Sequence, residues 1–215
     1  MGAVTGIDWN HNSFYHRLLL RQLPKNMSRV LDVGCGAGAF AVVLARQAER
    51  VDALDQSPVM IDAAKQVVPA NVTCILGDIL EQQFPPATYD AIVSISTLHH
   101  LPLDEVLPVL ADALRPGGVL AAVALPRTDL PRELPTELVA ALGHRVLGGT
   151  FALLRKLGLG DRHALDPAHA DMPVRLDPPL TTRQVREQAR TLLPGAQVRR
   201  RLFWRYSLVW HKPHP

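Results

Sequence analysis

Cysteine is scarce in this sequence: there are two, Cys35 and Cys74, and neither belongs to a CxxC pair. Two isolated thiols argue against a disulfide scaffold and fit a reducing compartment. Long apolar runs are missing too. The longest, residues 119–125, has seven residues, whereas a membrane-spanning helix needs roughly 20. No basic-then-apolar leader follows Met1, so the expectation is a soluble, cytoplasmic protein with no membrane partner. Neither internal repeats nor low-complexity tracts interrupt the chain. Charge of one sign is not in large excess: 23 Lys and Arg against 20 Asp and Glu leave a net +3. Nucleic-acid binders concentrate basic residues on one stripe. The densest run here is Arg199-Arg200-Arg201 with Arg205 behind it. A solvated strand face accounts for that run, so no nucleic-acid partner is expected.

What is present is apolar mass in an alternating order. With 215 residues, 47% of them hydrophobic, the chain suits one well-cored domain with a modest insertion. Ser13 caps a leading helix that exits at Pro24. Residues 29–33 read as a short buried strand, 39–50 as a helix, 51–54 as a second strand ending at Asp55. Ser57-Pro58 opens the next helix with a polar cap and a proline at its first position. Strands follow at 72–76, 90–96 and 119–125, with a helix at 104–114 and a turn at Pro116-Gly117-Gly118. Strands alternating with helices imply βαβ units and an α/β fold whose parallel sheet is covered on both faces.

Residues 126–180 differ, holding seven prolines and many charges. Two short helices are expected there, at 133–142 and 150–157, inside an insertion that caps a pocket. A helix from Thr181 or Thr182 to Leu193 and a closing strand over 197–210 complete the chain. The domain thus divides into a leading helix (1–24), a core (25–125), the insertion (126–180) and the closing elements (181–215), as a monomer or homodimer.

The chemistry is concentrated after the first strand, in Asp32-Val33-Gly34-Cys35-Gly36-Ala37-Gly38. A tight strand-to-helix turn needs residues without Cβ so that backbone can approach a ligand. The helix amino terminus offers free N–H groups, and the carboxyl end of such a strand is where open parallel sheets bind ligands. A dinucleotide loop has a similar spacing. Asp32 argues against it, because a carboxylate beside a pyrophosphate is an unfavourable like-charge pair. The same carboxylate suits a cationic amino group.

The string Val30-Leu31-Asp32-Val33-Gly34-Cys35-Gly36-Ala37-Gly38 resembles the first motif of class I S-adenosylmethionine (SAM) dependent methyltransferases, and is most similar to the small type 11 group, which acts on quinone precursors and natural products. The resemblance covers residues 13–125 and the closing strands near 197–211. It implies a doubly wound, Rossmann-like, seven-stranded sheet, mostly parallel with an antiparallel closing strand, and SAM as cofactor. It implies cofactor contacts at Asp32, Gly34, Cys35, Gly36 and Gly38. Asp55, 23 residues after Asp32, is then placed to accept the ribose hydroxyls. Gln56 and Met60 pack on the adenine, Asp78 and Ile79 read its edge, and Ser94 completes the set. In similar enzymes a leading helix folds over the cofactor, which brings Tyr15 and His11 toward it.

In Leu98-His99-His100-Leu101-Pro102, after the fourth strand, a neutral imidazole can take a proton at working pH. His99 is the expected base, with His100 packed against a helix. Metal is not expected: Ser94, Ile95, Ser96 and Thr97 stand where metal-dependent relatives place acids, and His163, Asp166, His169 and Asp171 match no zinc spacing. The leading reading is methyl transfer to a small-molecule acceptor held by apolar insertion residues such as Leu134, Leu138, Phe151, Leu153 and Leu154, as in secondary-metabolite biosynthesis. RNA or protein methylation, a SAM-binding protein without methyl transfer, and a NAD-dependent oxidoreductase stand as alternatives.

Overall fold

The computed structural model describes residues 11–129, Thr150 and residues 178–214. The chain enters through α1 (His11–Leu20). It then runs β1 (Met27–Val33), α2 (Ala39–Leu44), β2 (Ala48–Asp55), α3 (Pro58–Lys65), β3 (Val72–Leu76), β4 (Tyr89–Ile95), a 3-10 turn (Leu98–His100), α4 (Leu103–Ala113) and β5 (Leu114–Ala124). After the insertion come α5 (Thr182–Leu192), β6 (Gln197–Arg201) and β7 (Arg205–His211).

The strands form one seven-stranded sheet in the order β3-β2-β1-β4-β5-β7-β6. Neighbours among β1 to β5 are parallel, and β7 runs antiparallel to both β5 and β6. This is the expected mostly parallel α/β sheet with a reversed strand toward its closing edge. The winding β1-β2-β3 goes to one side and β4 returns to the other side of β1. The carboxyl ends of β1 and β4 therefore diverge and open a crevice.

Residue parity assigns side chains to the two faces. Leu31, Val33, Ile92 and Leu120 pack with Leu107 and Leu110 of α4 and Val185 and Ala189 of α5. Val30, Ala91, Val93 and Ala121 pack with Tyr15 and Leu19 of α1 and Phe40 and Leu44 of α2. Both faces are covered, which is why the strands read as continuous apolar runs. Burying each large side chain of α4, such as Leu103, Leu107 and Leu110, is worth roughly 1.5–3 kcal/mol. A capping box starts α5: the Thr181 hydroxyl accepts from the Gln184 N–H, and the Gln184 side chain accepts from the Thr181 N–H at 3.0 Å.

Four local expectations change. Ser13, the expected cap of the leading helix, lies inside α1, which already includes His11. The helix expected over 39–50 stops at Leu44, and β2 begins at Ala48. Asn71 explains the early stop, because its amide donates to Ala45 O at 2.9 Å and to Ala48 O at 3.1 Å. The turn expected at Pro116-Gly117-Gly118 lies inside β5 as an irregularity. There the pairing with β4 jumps from Tyr89–Leu114 to Ala91–Val119, and Gly117 takes a positive φ of 76°. The single closing strand is a hairpin, β6 and β7 about residues 202–204, with Phe203 and Trp204 both left-handed. The two insertion helices, the apolar cap residues and the His163–Asp171 cluster lie outside the described residues, as does the side chain of His11. No helix among the described residues is long and apolar enough to cross a membrane, and these residues contain no metal-binding group of His, Cys, Asp and Glu.

Candidate active site

The glycine loop is tied to the end of the neighbouring strand. The N–H groups of Gly34 and Cys35 both donate to Leu54 O, at 2.8 and 3.0 Å. Gly34 has φ +72, and a Cβ there would lie 1.9 Å from Thr97 Oγ1. No other residue fits without displacing the loop after β4. Gly38 serves a different purpose: its missing Cβ leaves room for Val68 and Ala64, the latter in α3, so it permits helix packing and does not line the cavity.

Around this loop lies a cavity of about 180 Å3. Its floor is Asp32, Gly34, Cys35 and Gly36 at the end of β1. One end is lined by Asp55, Gln56 and Met60 after β2 and by Gly77, Asp78 and Ile79 after β3. The other end is walled by Ser96, Thr97, His100 and Leu101 after β4 and by Asn12 and His16 of α1. His16 lies against the ring of Phe40, with centroids 4.6 Å apart.

Three carboxylates face this space in different states. Asp55 accepts from Gly36 N–H at 2.8 Å and from Ser57 N–H at 2.9 Å, one bond to each oxygen. Each oxygen keeps a lone pair for a ligand hydroxyl. Asp78 accepts from Leu80 N–H at 2.9 Å through Oδ1. Asp32 is 2% exposed, and its Oδ2 has no hydrogen-bond partner among the described residues. Burial, aided by the nearby charge of Asp55, pushes its pKa up to about 7. A buried, unpaired carboxyl beside a cavity is a place for a cation or a hydrogen-bond donor. Asp32, buried beside the glycine loop, makes that part of the cavity unsuited to a pyrophosphate, which weighs against a dinucleotide. Burial likewise raises the Cys35 thiol well above its ordinary value, so its contribution is not that of a nucleophile.

Four expected site residues sit elsewhere. His99 is 7% exposed and lies in a separate crevice with Leu103, Leu125, Leu180 and Tyr206, of about 10 Å3, room for about one water. His100, whose ring centroid is 4.0 Å from that of His99, takes the cavity side. The 3-10 turn aims consecutive residues in different directions, and here the apolar crevice under α4 receives the first histidine. Tyr15 is buried in the core under α1, its hydroxyl donating to Leu202 O; its pKa is pushed up to about 12 by that burial. Ser94 is fully buried, with Oγ donating to Val33 O at 2.9 Å, so it ties β4 to β1 beneath the site. Gly38 faces α3, as above. Residues the sequence reading did not select are Asn12, His16, Phe40, Ser96 and His100. Of these, His100 carried a signal through the histidine pair, and Asn12 and His16 through their place on the leading helix.

Residues 30–118 match the family described as a methyltransferase domain. An uncharacterized methyltransferase of Mycobacterium tuberculosis (strain ATCC 25618 / H37Rv) is 32% identical over 210 residues, 95% of this chain and 98% of the relative. A ubiquinone biosynthesis O-methyltransferase of Xylella fastidiosa (strain 9a5c) is 35% identical over 116 residues, covering 50% of this chain and 46% of that protein. The crystal structure of a protein from Pyrococcus horikoshii OT3 superposes with a TM-score of 0.63 at 22% identity, over 92% of this chain and 87% of that one, which shows the shared fold. With a near full-length relative above 30% identity and the motif-bearing core matched to the methyltransferase domain, the chain belongs to the class I SAM-dependent methyltransferases.

Proposed function

We propose that this methyltransferase modifies a small-molecule acceptor, by in-line displacement at the sulfonium methyl of SAM. The observation that carries the reading is the concave end of the cavity beyond the glycine loop, where Ser96, Thr97, His100 and Asn12 meet. These polar groups stand beside the apolar side chains of Phe40, Ile95 and Leu101, the mixed lining that suits a small molecule. The partial relative that is named for ubiquinone biosynthesis supports an acceptor of small, aromatic type.

The cofactor of the family fits the residues present. Asp55 has free lone pairs for the ribose hydroxyls, and the Gly36 N–H it holds fixes the loop beneath them. Gln56, Met60 and Ile79 supply the walls for the adenine, with Asp78 at its edge. The orphaned Asp32 carboxyl suits the cationic amino group of the methionine part. Bound there, SAM supplies a methyl group already activated on a positive sulfur.

The remaining work falls to the chain's own groups. The wall residues hold the acceptor in line, and such alignment supplies roughly 7–11 kcal/mol of barrier lowering. His100 is the group on the cavity side that takes the acceptor's proton, in place of the buried His99. The arginine run, first weighed for nucleic acid, is partly folded inward: Arg201 Nε donates to Ser207 Oγ at 2.8 Å and Arg205 to Asn12. That placement supports a small acceptor over RNA. The test is turnover of labelled SAM with a panel of phenols, quinone precursors and amines, alongside total tRNA and protein extract. S-adenosylhomocysteine accumulating with a small acceptor supports the reading; label entering only RNA or protein would sink it.

A further inference from the structure

Arg205 opens β7 at the carboxyl edge of the sheet, next to Tyr206, which pairs with Ala124 at the end of β5. In the strand order, β7 lies beyond β4 and β5, on the side opposite β2 and β3, which lead into Asp55 and Asp78. Arg205 therefore stands at the acceptor end and not at the adenosine end. Burial lowers its pKa to about 10, so it stays charged at neutral pH.

This cation has no carboxylate within ion-pair distance among the described residues. Its donors reach neutral oxygens only: Phe203 O and Trp204 O at 3.5 Å and Asn12 Oδ1 at 3.3 Å. Its Nε is buried without an acceptor. Asn12 Oδ1 also accepts from Ser96 Oγ at 2.7 Å. Ser96 adopts a left-handed φ of 58°, a strained conformation for a residue with a Cβ. Both Asn12 and Ser96 line the cavity. One amide oxygen thus sits where a hydroxyl and a guanidinium converge, and a half-buried guanidinium ordinarily has an anion as its partner.

We propose that the acceptor carries a carboxylate, and that this carboxylate takes the place of the Asn12 amide oxygen between Ser96 Oγ and Arg205. The inference rests on the small-molecule reading above and names the class of acceptor for that same site. A carboxylate there makes the Ser96 bond charge-assisted and turns the Arg205 contact into an ion pair. It also leaves the methyl-accepting part of the molecule near His100, across the same recess. Arg205 is then a specificity-determining residue and Asn12 the placeholder that fills the site when no acceptor is bound.

The test uses benzoate and benzamide as matched charged and neutral probes, titrated calorimetrically into the 215-residue chain saturated with S-adenosylhomocysteine. The expected result is benzoate binding tighter than benzamide by at least about tenfold. That preference disappears in folded Arg205→Gln protein and survives in part in Arg205→Lys. As a second variant with the arginine intact, Asn12→Asp supplies the missing carboxylate from the chain: Tm rises and benzoate no longer binds. Equal affinity for the two probes, no benzoate binding to protein that still binds S-adenosylhomocysteine, or a lowered Tm in Asn12→Asp overturns the proposal and leaves the methyl-transfer reading standing. Benzoate that competes with S-adenosylhomocysteine puts the anion site at the cofactor's own carboxylate and overturns it too. If S-adenosylhomocysteine itself does not bind, the underlying reading fails and this one falls with it.

Discussion

The carboxylate of Asp55 holds the main chain of Gly36, 19 residues earlier, through a 2.8 Å hydrogen bond from the glycine N–H. Its other oxygen accepts from Ser57 N–H at 2.9 Å. One side chain therefore sets both the glycine loop and the entry to α3. Asp55→Ala is predicted to weaken S-adenosylhomocysteine binding by at least about 30-fold, since hydrogen bonds to a charged group contribute about 1.5–3 kcal/mol each. Calorimetric titration measures it, and an affinity within about threefold of the original would show that neither the ribose nor the loop depends on this carboxylate.

Gly34 and Gly195 both have positive φ, +72 and +88, but differ in surroundings. At Gly34 a Cβ meets Thr97 Oγ1 at 1.9 Å; at Gly195 nothing lies within 4 Å. Gly195→Ala should cost only the backbone strain, about 1–2 kcal/mol. Gly34→Ala adds a steric clash that moves the loop after β4, for a total of about 3 kcal/mol or more. Urea unfolding midpoints compare the two directly, and equal losses would contradict the packing seen at Thr97.

Asp32 carries a pH dependence of definite sign. Its pKa rises from 3.8 to about 7 in the fold, chiefly through burial. Between those values the folded chain binds more protons than the unfolded one, so stability falls as pH rises from about 4 to about 7 and levels off above. The full effect is of order 4 kcal/mol at most, at about 1.4 kcal/mol per pKa unit. Asp32→Asn removes this slope. Binding of a cationic ligand beside Asp32 favours the carboxylate, so SAM affinity should rise with pH through about 7, with proton release detectable by calorimetry in buffers of different ionisation heat. Stability rising over that window would contradict the buried, unpaired state of this group.

The histidine pair separates catalysis from packing. With a small acceptor in hand, His100→Ala should lower kcat by about 100-fold or more, the range for a positioned general base, and remove the limb of the pH profile that reports it. His99→Ala should cost about 1–3 kcal/mol of stability and change kcat far less. A larger kcat loss in the His99 variant would return the base to that residue.

The parts of this architecture legible in the sequence are those with local causes. Alternating apolar runs and the Ser57-Pro58 start gave the strands and α3 to within a few residues. The loop Gly34 to Gly38 announced the cavity floor, and Asp55, Gln56, Met60, Asp78 and Ile79 all line the cavity. What was hidden depends on distant partners. The end of α2 is set by Asn71, 26 residues beyond Ala45, and 39–50 has enough Ala, Val and Leu to read as helix throughout. The hairpin turn at 202–204 rests on Phe203 packing edge-on against Phe14 of α1, with no glycine or proline to mark it. Tyr15 is expected at the ligand because a leading helix folds over the cofactor in similar enzymes; here the ring is buried and its hydroxyl is spent on Leu202 O. The two histidines could not be told apart by spacing, since the crevice that receives His99 is built from Leu125, Leu180 and Tyr206, far along the chain.

The most direct test of the central claim is calorimetric titration of SAM, S-adenosylhomocysteine and NAD into the original chain and the Asp55→Ala variant. The account predicts that the first two bind the original chain, that both lose affinity in the variant, and that NAD binds neither. NAD binding more tightly than SAM, or SAM binding that is indifferent to Asp55, would contradict it.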